Sequence, residues 1–404
     1  MSGTEVAYNP FAEGFAENPY PQYTALRAAD PIHHSPFGIW VLFRHDDVRT
    51  MLRDQSLSAD ERNMHQTVFS QVAQQEMGDA GDMGSHSMLN LDPPTHTRLR
   101  RLVSKAFTPR MIEQLRPRVE DLVDGILDRA AAAGGLELMD ELAFPLPFAV
   151  ITDLLGMPDT DTAELRRLSG MVVRSLEPVL DPTMLREIAS AAVALNELIG
   201  AAIEWKRTRM TDDLLSALIA AEDEGDVLSE PELAEQVALL YIAGHETTVN
   251  LIGNGVLALL RHPDQMADLR SDPSLDGPAV EELLRYDSPV QMSRRITRAE
   301  TTLGGETIEA GAFVVLGLAS ANRDPLRWGT TADQVDLRRP GAGDHVSFGG
   351  GHHYCLGAAL ARLEGQVAIG RLVRRFARME MAGEPLYNGR RNLRGLAHLP
   401  LSVG

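Results

Sequence analysis

The sequence predicts a mainly α fold with small peripheral β-sheets, built around one long buried helix. Three observations carry that expectation. Helical periodicity dominates residues 95–286, strand-like runs are short and confined to the two ends of the chain, and residues 230–261 form an uninterrupted helical pattern. That pattern opens with Ser229-Glu230-Pro231-Glu232, a capping-box arrangement with proline in the first turn, and stops at His262-Pro263. At full length it reaches about 48 Å, enough to cross a whole domain. Its middle, VALLYIAGHETTVNLIGNGVLALL, is apolar nearly all round, the mark of a helix enclosed by protein.

Other elements follow the same logic. Residues 39–43, Ile-Trp-Val-Leu-Phe, read as a strand, and residues 311–316 as another. Residues 301–309, with Gly304-Gly305 in the turn, predict a hairpin, and the tail 393–403 predicts a last strand pair. Helices are expected over 183–208, from near Asp276, and over 356–376, where apolar residues recur on one face. Residues 60–93 are polar, carry Met64, Met77, Met83 and Met88, and predict a long irregular stretch. A loop is expected around 177–182.

Composition narrows the function classes. The chain has 404 residues, 44% hydrophobic and 24% charged, so it can bury a sizeable core. Its length alone fits two or three average domains or one large one. A formal net charge of −19 disfavours a nucleic-acid partner. One cysteine excludes an intramolecular disulfide framework and a Cys-rich zinc module, and fits a reducing compartment. Residues 1–30 lack the basic start and apolar run of a signal peptide, and no stretch reads as a membrane span. A cytoplasmic protein with no membrane association is expected. Between Thr95 and Arg118, however, seven basic residues (Arg98, Arg100, Arg101, Lys105, Arg110, Arg116, Arg118) face one acid, Glu113. They form either a basic helix balancing acidic neighbours or a dock for something anionic.

The only cysteine lies in SFGGGHHYCLG, residues 347–357, just before the 356–376 helix. A helix N-terminus favours a thiolate. The glycines remove side chains from one side of the loop, permitting close approach of something flat. A thiolate, a flat partner and no second cysteine suggest haem with axial sulfur ligation, and the absence of Cys-x-x-Cys-His excludes covalent c-type haem. Other readings are a small buried hydrophobe, a zinc site of His345, His352, His353 and Cys355, and a hydrolase nucleophile. In the central helix, Ala243-Gly244-His245-Glu246-Thr247-Thr248 sets an acid and two hydroxyls in an apolar surface. Back-bonding threonines and an ion-paired glutamate would explain these structurally.

Phe348-x-x-Gly351-x-x-x-Cys355-x-Gly357 resembles the haem-binding loop of the cytochrome P450 family, in particular its soluble bacterial members. The resemblance runs over essentially the whole chain, with further motifs in order, and implies a single P450 domain over 1–404. By resemblance Cys355 is the axial ligand of haem b. His353, His96, Arg100 and Arg295 reach its propionates, and Phe348, Gly351, Ala243 and Gly244 lie against it. Thr247 and Glu246 would form the acid–alcohol pair that delivers protons when dioxygen is cleaved. Glu282 and Arg285 match the family's structural pair, and Asn322-Arg323-Asp324-Pro325 a further segment. One departure stands out: Gln334 and Val335 occupy positions where the family usually shows Arg and Phe, which leaves the third member of that Glu–Arg–Arg brace unassigned, with haem expected to be retained through other contacts.

The resemblance also implies a monooxygenase that hydroxylates or epoxidises a bulky apolar substrate, such as a polyketide, macrolide, terpenoid or steroid of secondary metabolism. The pocket would be lined by Leu239, Ile242, Ala243, Val290, Gln291, Asn392 and Leu393, under cover of parts of 60–90 and 172–184. No flavin or iron–sulfur motif is present. Electrons must therefore arrive from separate partners; by resemblance these are a ferredoxin and its reductase using NAD(P)H, docking on the Arg98–Lys105 patch. The alternatives are a peroxide-driven peroxygenase and a non-catalytic haem or ligand-binding protein.

Overall fold

The expected central helix forms over Glu230–Arg261, and its capping box closes as read: the Ser229 amide donates to the Glu232 carboxylate at 2.9 Å. The computed structural model describes residues 7–66, 68–77, 84–158, 162–223 and 225–404, and they are mainly helical with small sheets. The chain divides into two compact units, Met1–Ser58 with Pro117–Leu146 and Thr247–Gly404, and Ala59–Arg116 with Pro147–Glu246.

The first unit holds the largest sheet, with strands in the order Ile32–His34, Trp40–Leu42, Phe313–Leu316, Ser293–Ile296. The two strands expected from sequence are neighbours and run parallel, Trp40 opposite Val314. Side chains alternate across the pleat, so Trp40 and Leu42 join Val314 and Leu316 on one face, packed against Val48, Met51 and Leu52. Val41, Phe43 and Val315 point to the other face, into an aromatic group of Tyr8, Phe15, Tyr20 and Tyr23. Burial on both faces explains why this strand reads as a continuous apolar run.

The hairpin pairs Thr301–Leu303 with Glu306–Ile308, and both turn glycines, Gly304 and Gly305, have positive φ. The tail departs from expectation. Its strands, Leu396–His398 and Pro400–Val403, are separated by a single residue, too few to fold one onto the other. Each finds a distant partner instead: the first pairs with Leu386–Tyr387, the second with both Met379–Met381 and Gly135–Glu137.

Glu282 and Arg285 are fully buried on the Asp276–Tyr286 helix, far from the surface pair that their spacing alone would suggest. Arg285 grips both Glu282 oxygens at 2.7 and 2.8 Å. The third member of the brace is present after all. Arg339 donates from Nε to both carboxylate oxygens at 3.1 Å, so Gln334 and Val335 leave no gap. Gln334 contributes only its backbone carbonyl, to Arg285 at 2.9 Å, and Val335 is buried. The free Arg285 donors reach the carbonyls of Asn322 and Ala332, both at 2.8 Å.

In the second unit the stretch expected to be irregular contains a helix, Val68–Met77, and two one-turn helices, Glu61–Asn63 and Met88–Asn90; Met83 lies outside the described residues. The Val68–Met77 helix runs against Pro182–Arg207, a tertiary partner that no local signal announces. That longer helix corrects another expectation. Over 26 residues, with a window of mean hydropathy 1.3, it is long and apolar enough to pass for a membrane span. Its pattern is nonetheless that of an amphipathic core helix: Leu185, Ile188, Ala192, Leu195, Ile199 and Ala202 are buried at helical spacing, while Arg186, Glu187, Glu197 and Glu204 are exposed.

Because Arg339 bonds a fully buried carboxylate, Arg339→Ala should lower stability by about 1.5–3 kcal/mol in a urea titration. Gln334→Ala should leave the midpoint almost unchanged, since only its carbonyl is engaged. Equal losses from both would refute Arg339 as the compensating residue.

Candidate active site

The cysteine loop is fastened at its start. Asn322 Nδ2 donates to Ser288 Oγ and Ser347 Oγ, both at 2.8 Å, while its Oδ1 accepts from the Val346 amide at 2.8 Å. Ser347 Oγ also lies 2.7 Å from the Leu284 carbonyl. His345 Nδ1 accepts from the Ser347 amide at 3.1 Å, which leaves Nε2 as the protonated nitrogen, 3.3 Å from Glu281. Arg362 also donates to Glu281, at 2.6 and 3.1 Å, and its guanidinium covers the Phe348 ring at 4.6 Å. Burial opposes ionisation of Glu281, yet the neighbouring His345 and the hydrogen bonds from Arg362 outweigh it and bring the carboxyl down to about 2.

From this anchored start the backbone turns sharply. Gly349 and Gly351 both have positive φ, and a Cβ on Gly351 would sit 2.6 Å from the Leu52 carbonyl, so only glycine fits there. The Cys355 amide donates back to the Phe348 carbonyl at 2.9 Å, closing the loop. Cys355 is exposed. That position removes the buried-hydrophobe reading, because an unconstrained cysteine is among the most buried residue types. The zinc reading also fails: His345 is committed to Ser347 and Glu281. Among the described residues the only metal-compatible grouping is Glu137, Asp140 and His398, which includes none of the four residues of that reading. The helix itself starts at Ala358, after Gly357, so the sulfur lies just ahead of the first turn rather than within it.

In the same unit, Arg295 is buried and donates to the carbonyls of Arg294 (2.7 Å) and Leu52 (3.2 Å), and His353 is half-buried beside His352. Val290 bridges to Leu393, and the Gln291 amide donates to the Asn392 carbonyl at 2.9 Å. Gln291 itself is corrected. Its side chain is fully buried, its Oε1 accepting from Tyr23 at 3.4 Å and its Nε2 donating to Ser288 at 2.7 Å, so it braces the pocket segment from behind.

The central helix has two characters. Residues 248–259 are buried without exception, as the all-round apolar pattern requires. Earlier, Leu239, Ile242, Ala243, Glu246 and Thr247 form an open stripe at helical spacing, with Ala243 the most exposed. In the second unit, His96 and Arg100 lie one turn apart on the Thr95–Ala106 helix, His96 buried and Arg100 half-buried. The expected basic patch shrinks. Arg98 bonds Asp226 at 3.1 Å and also Glu232, and Arg116 pairs with Glu113 at 2.5 Å.

The Cytochrome P450 family model matches residues 40–273 and 278–389. "Cytochrome P450 107B1" of Saccharopolyspora erythraea is 43% identical over 404 residues, covering 98% of this chain and 97% of that protein. "Vitamin D(3) 25-hydroxylase" of Pseudonocardia autotrophica is 43% identical over 411 residues, covering 100% and 98%. The solved "Bacillaene Polyketide Synthase (PKS) Cytochrome P450 PksS" of Bacillus subtilis superposes with a TM-score of 0.88 at 36% identity, covering 98% of this chain and 100% of that one. This chain belongs to the cytochrome P450 family.

It is a P450 monooxygenase, an oxidoreductase with haem b as cofactor and with electrons from NAD(P)H delivered through redox partners. The residues present fit that cofactor: one exposed sulfur, on a loop whose glycines clear its surface, stands ahead of a helix in a unit that also carries buried Arg295 and half-buried His353.

One residue escaped the sequence reading. Glu364, on the cysteine helix, is fully buried, and neither carboxyl oxygen has a hydrogen-bond partner of ordinary geometry. Burial pushes it up to about 8, with the Thr248 hydroxyl pulling the other way. Its helical position, between Leu363 and Gly365, announces burial of the face; nothing local distinguishes a buried acid from a solvated one.

This fixes a pH dependence. Unfolded, the carboxyl titrates near 4.5; folded, it holds its proton to about 8. Between those values the native state binds more protons than the unfolded chain, so stability falls as pH rises, by about 1.4 kcal/mol per unit from this group. Glu364→Gln should therefore gain stability over the parent as pH climbs from about 5 to about 8, read as diverging urea midpoints. Parallel midpoints across that range would mean that Glu364 is solvated or ionised.

Proposed function

We propose that this P450 inserts one atom of dioxygen into a bulky apolar substrate of secondary metabolism, by hydroxylation or epoxidation, with Cys355 as the proximal thiolate and Glu246–Thr247 as the proton-delivering pair. The observation that carries the reading is the exposed position of the only thiol, at the end of a loop otherwise tied down by Asn322, Ser347 and His345. The family model runs through both units, which supports treating residues 1–404 as one functional domain. The lone cysteine supports a cytoplasmic location.

Haem, when bound, supplies the iron at which dioxygen is activated. The protein does the rest. Cys355 is the sulfur donor, and the Gly349–Gly351 turn keeps side chains out of its way. In the same unit, His353 and Arg295 would be cationic or hydrogen-bonding partners for propionates. Ala243 keeps the open stripe small, and Thr247, on the same stripe, presents a hydroxyl that holds a proton donor in place. Glu246, one residue earlier and half-exposed, exchanges protons with solvent. Thr248, by contrast, is buried, which supports Thr247 as the working hydroxyl.

The substrate class rests on the open apolar stripe of Leu239, Ile242 and Ala243, and on relatives named for vitamin D(3) and for a polyketide synthase. Asn392 serves as a backbone anchor, its Oδ1 accepting from the Met292 amide at 3.0 Å. A ferredoxin with its reductase is the proposed electron source. Arg101 and Lys105 are exposed on the same helix and give an acidic partner a cationic surface to meet. In the other unit, Arg49 and Arg53 line a cavity of about 300 Å³ beside the glycine turn, and neither has an acidic partner among the described residues.

The purified holoenzyme, supplied with ferredoxin, reductase, NAD(P)H and an apolar library screened by spin shift, should form monooxygenated product; binding without turnover from any electron source would leave a haem-binding protein. Cys355→Ala should abolish the thiolate-type spectrum of the reduced carbon monoxide complex, and a retained spectrum rejects Cys355 as ligand. Thr247→Ala should keep oxygen consumption but divert at least half of it to hydrogen peroxide. Reversing the charges of Arg101 and Lys105 to Glu should slow reduction by ferredoxin, most at low salt, and unchanged rates would place the dock elsewhere.

A further inference from the structure

The proposed proton path gives His245 no task, and the side chain is fully buried. Its Nδ1 lies 2.8 Å from the Tyr241 carbonyl. A carbonyl only accepts, so Nδ1 carries the hydrogen, and in the neutral ring Nε2 is the acceptor. Nε2 faces Ser169 Oγ at 3.3 Å, on the Thr162–Val172 helix. The serine hydroxyl has a second acceptor on its own helix, the Arg166 carbonyl at 3.2 Å. It can therefore hold the helices together or turn inward at no loss of hydrogen bonds. The ring is packed edge-on against Phe148 at 5.8 Å and tilted against Tyr241 at 5.7 Å, which leaves it one orientation. Next to it, Gly244 lies so near Ile151 that a Cβ would meet that side chain at 3.0 Å.

A satisfied core histidine would look much the same, but its two partners do different work. Tyr241 belongs to the turn that precedes Glu246 and Thr247. Ser169 belongs to the helix that leads into 172–184, the segment expected over the substrate. Successive helical residues are about 100° apart, so His245 and Thr247 point to nearly opposite sides. Pinning one fixes the azimuth of the other.

Resting on the monooxygenase reading above, we propose that His245 is a positioning residue: through Ser169 it registers the Thr162–Val172 helix on the turn bearing Glu246 and Thr247, so that the cover over the substrate and the proton-delivering pair are set together.

The test uses the holoenzyme with its redox partners and a substrate found by spin shift. His245→Phe keeps the ring and loses both hydrogen bonds; Ser169→Ala removes one oxygen atom from the other helix. Each should cut product formed per NAD(P)H at least threefold, with hydrogen peroxide rising to match and the reduced carbon monoxide spectrum intact. The double variant should be no worse than the poorer single one, because both break the same link. His245→Gln, whose amide reaches the place of Nε2, should recover more than half of the coupling. Full coupling in Ser169→Ala, losses that multiply in the double variant, or haem loss in both singles would overturn the proposal. Ser169→Ala carries the test alone should His245→Phe not fold. A parent enzyme that never turns over would instead sink the monooxygenase reading, whatever the variants do.

Discussion

Glu282 is a carboxylate without access to water, and the approach to the cysteine is organised around satisfying it. Two guanidinium groups and the Asp336 amide converge on its oxygens. Arg285, so held, spends its other donors on the carbonyls of Asn322, Ala332 and Gln334. Asn322 in turn fixes Ser288, Val346 and Ser347. A buried charge cluster of this kind is weak evidence for stability, but an incomplete one is costly, so few alternative arrangements of these segments compete. The result is a loop rigid at its start and glycine-rich at its turn, able to leave a sulfur exposed without collapsing over it.

The central helix divides its labour along its length. From Thr248 onward it is enclosed and serves as the beam on which the cysteine helix packs, with Gly365 against Leu251. Before that, one stripe is open and the opposite side is locked by Tyr241, His245 and Gly244. Two adjacent threonines thereby acquire different surroundings. Thr247 faces the open stripe, while Thr248 turns toward the neutral acid Glu364. A 100° step along a helix is enough to give neighbouring hydroxyls different surroundings.

Charge pairing reduces the basic segment. Arg98 and Arg116 are bonded to acids of their own unit. Counting basic residues along the chain overstates the patch, because the acids that neutralise Arg98 come from beyond residue 220 and no local window contains them.

The sequence by itself determined what depends on short range and on residue chemistry. The limits of the central helix follow from a capping box and a His-Pro stop, and the hairpin from two glycines that tolerate positive φ. Only the tertiary structure decided what depends on partners far along the chain. It put Arg339, not residue 334, on Glu282; it turned Gln291 into the core; it sent the two tail strands to separate sheets; it made a helix of Val68–Met77. In each case the deciding quantity is which distant group meets a buried polar atom or an apolar face. Local periodicity carries no information about that, because the energy lies in the contact and not in the segment.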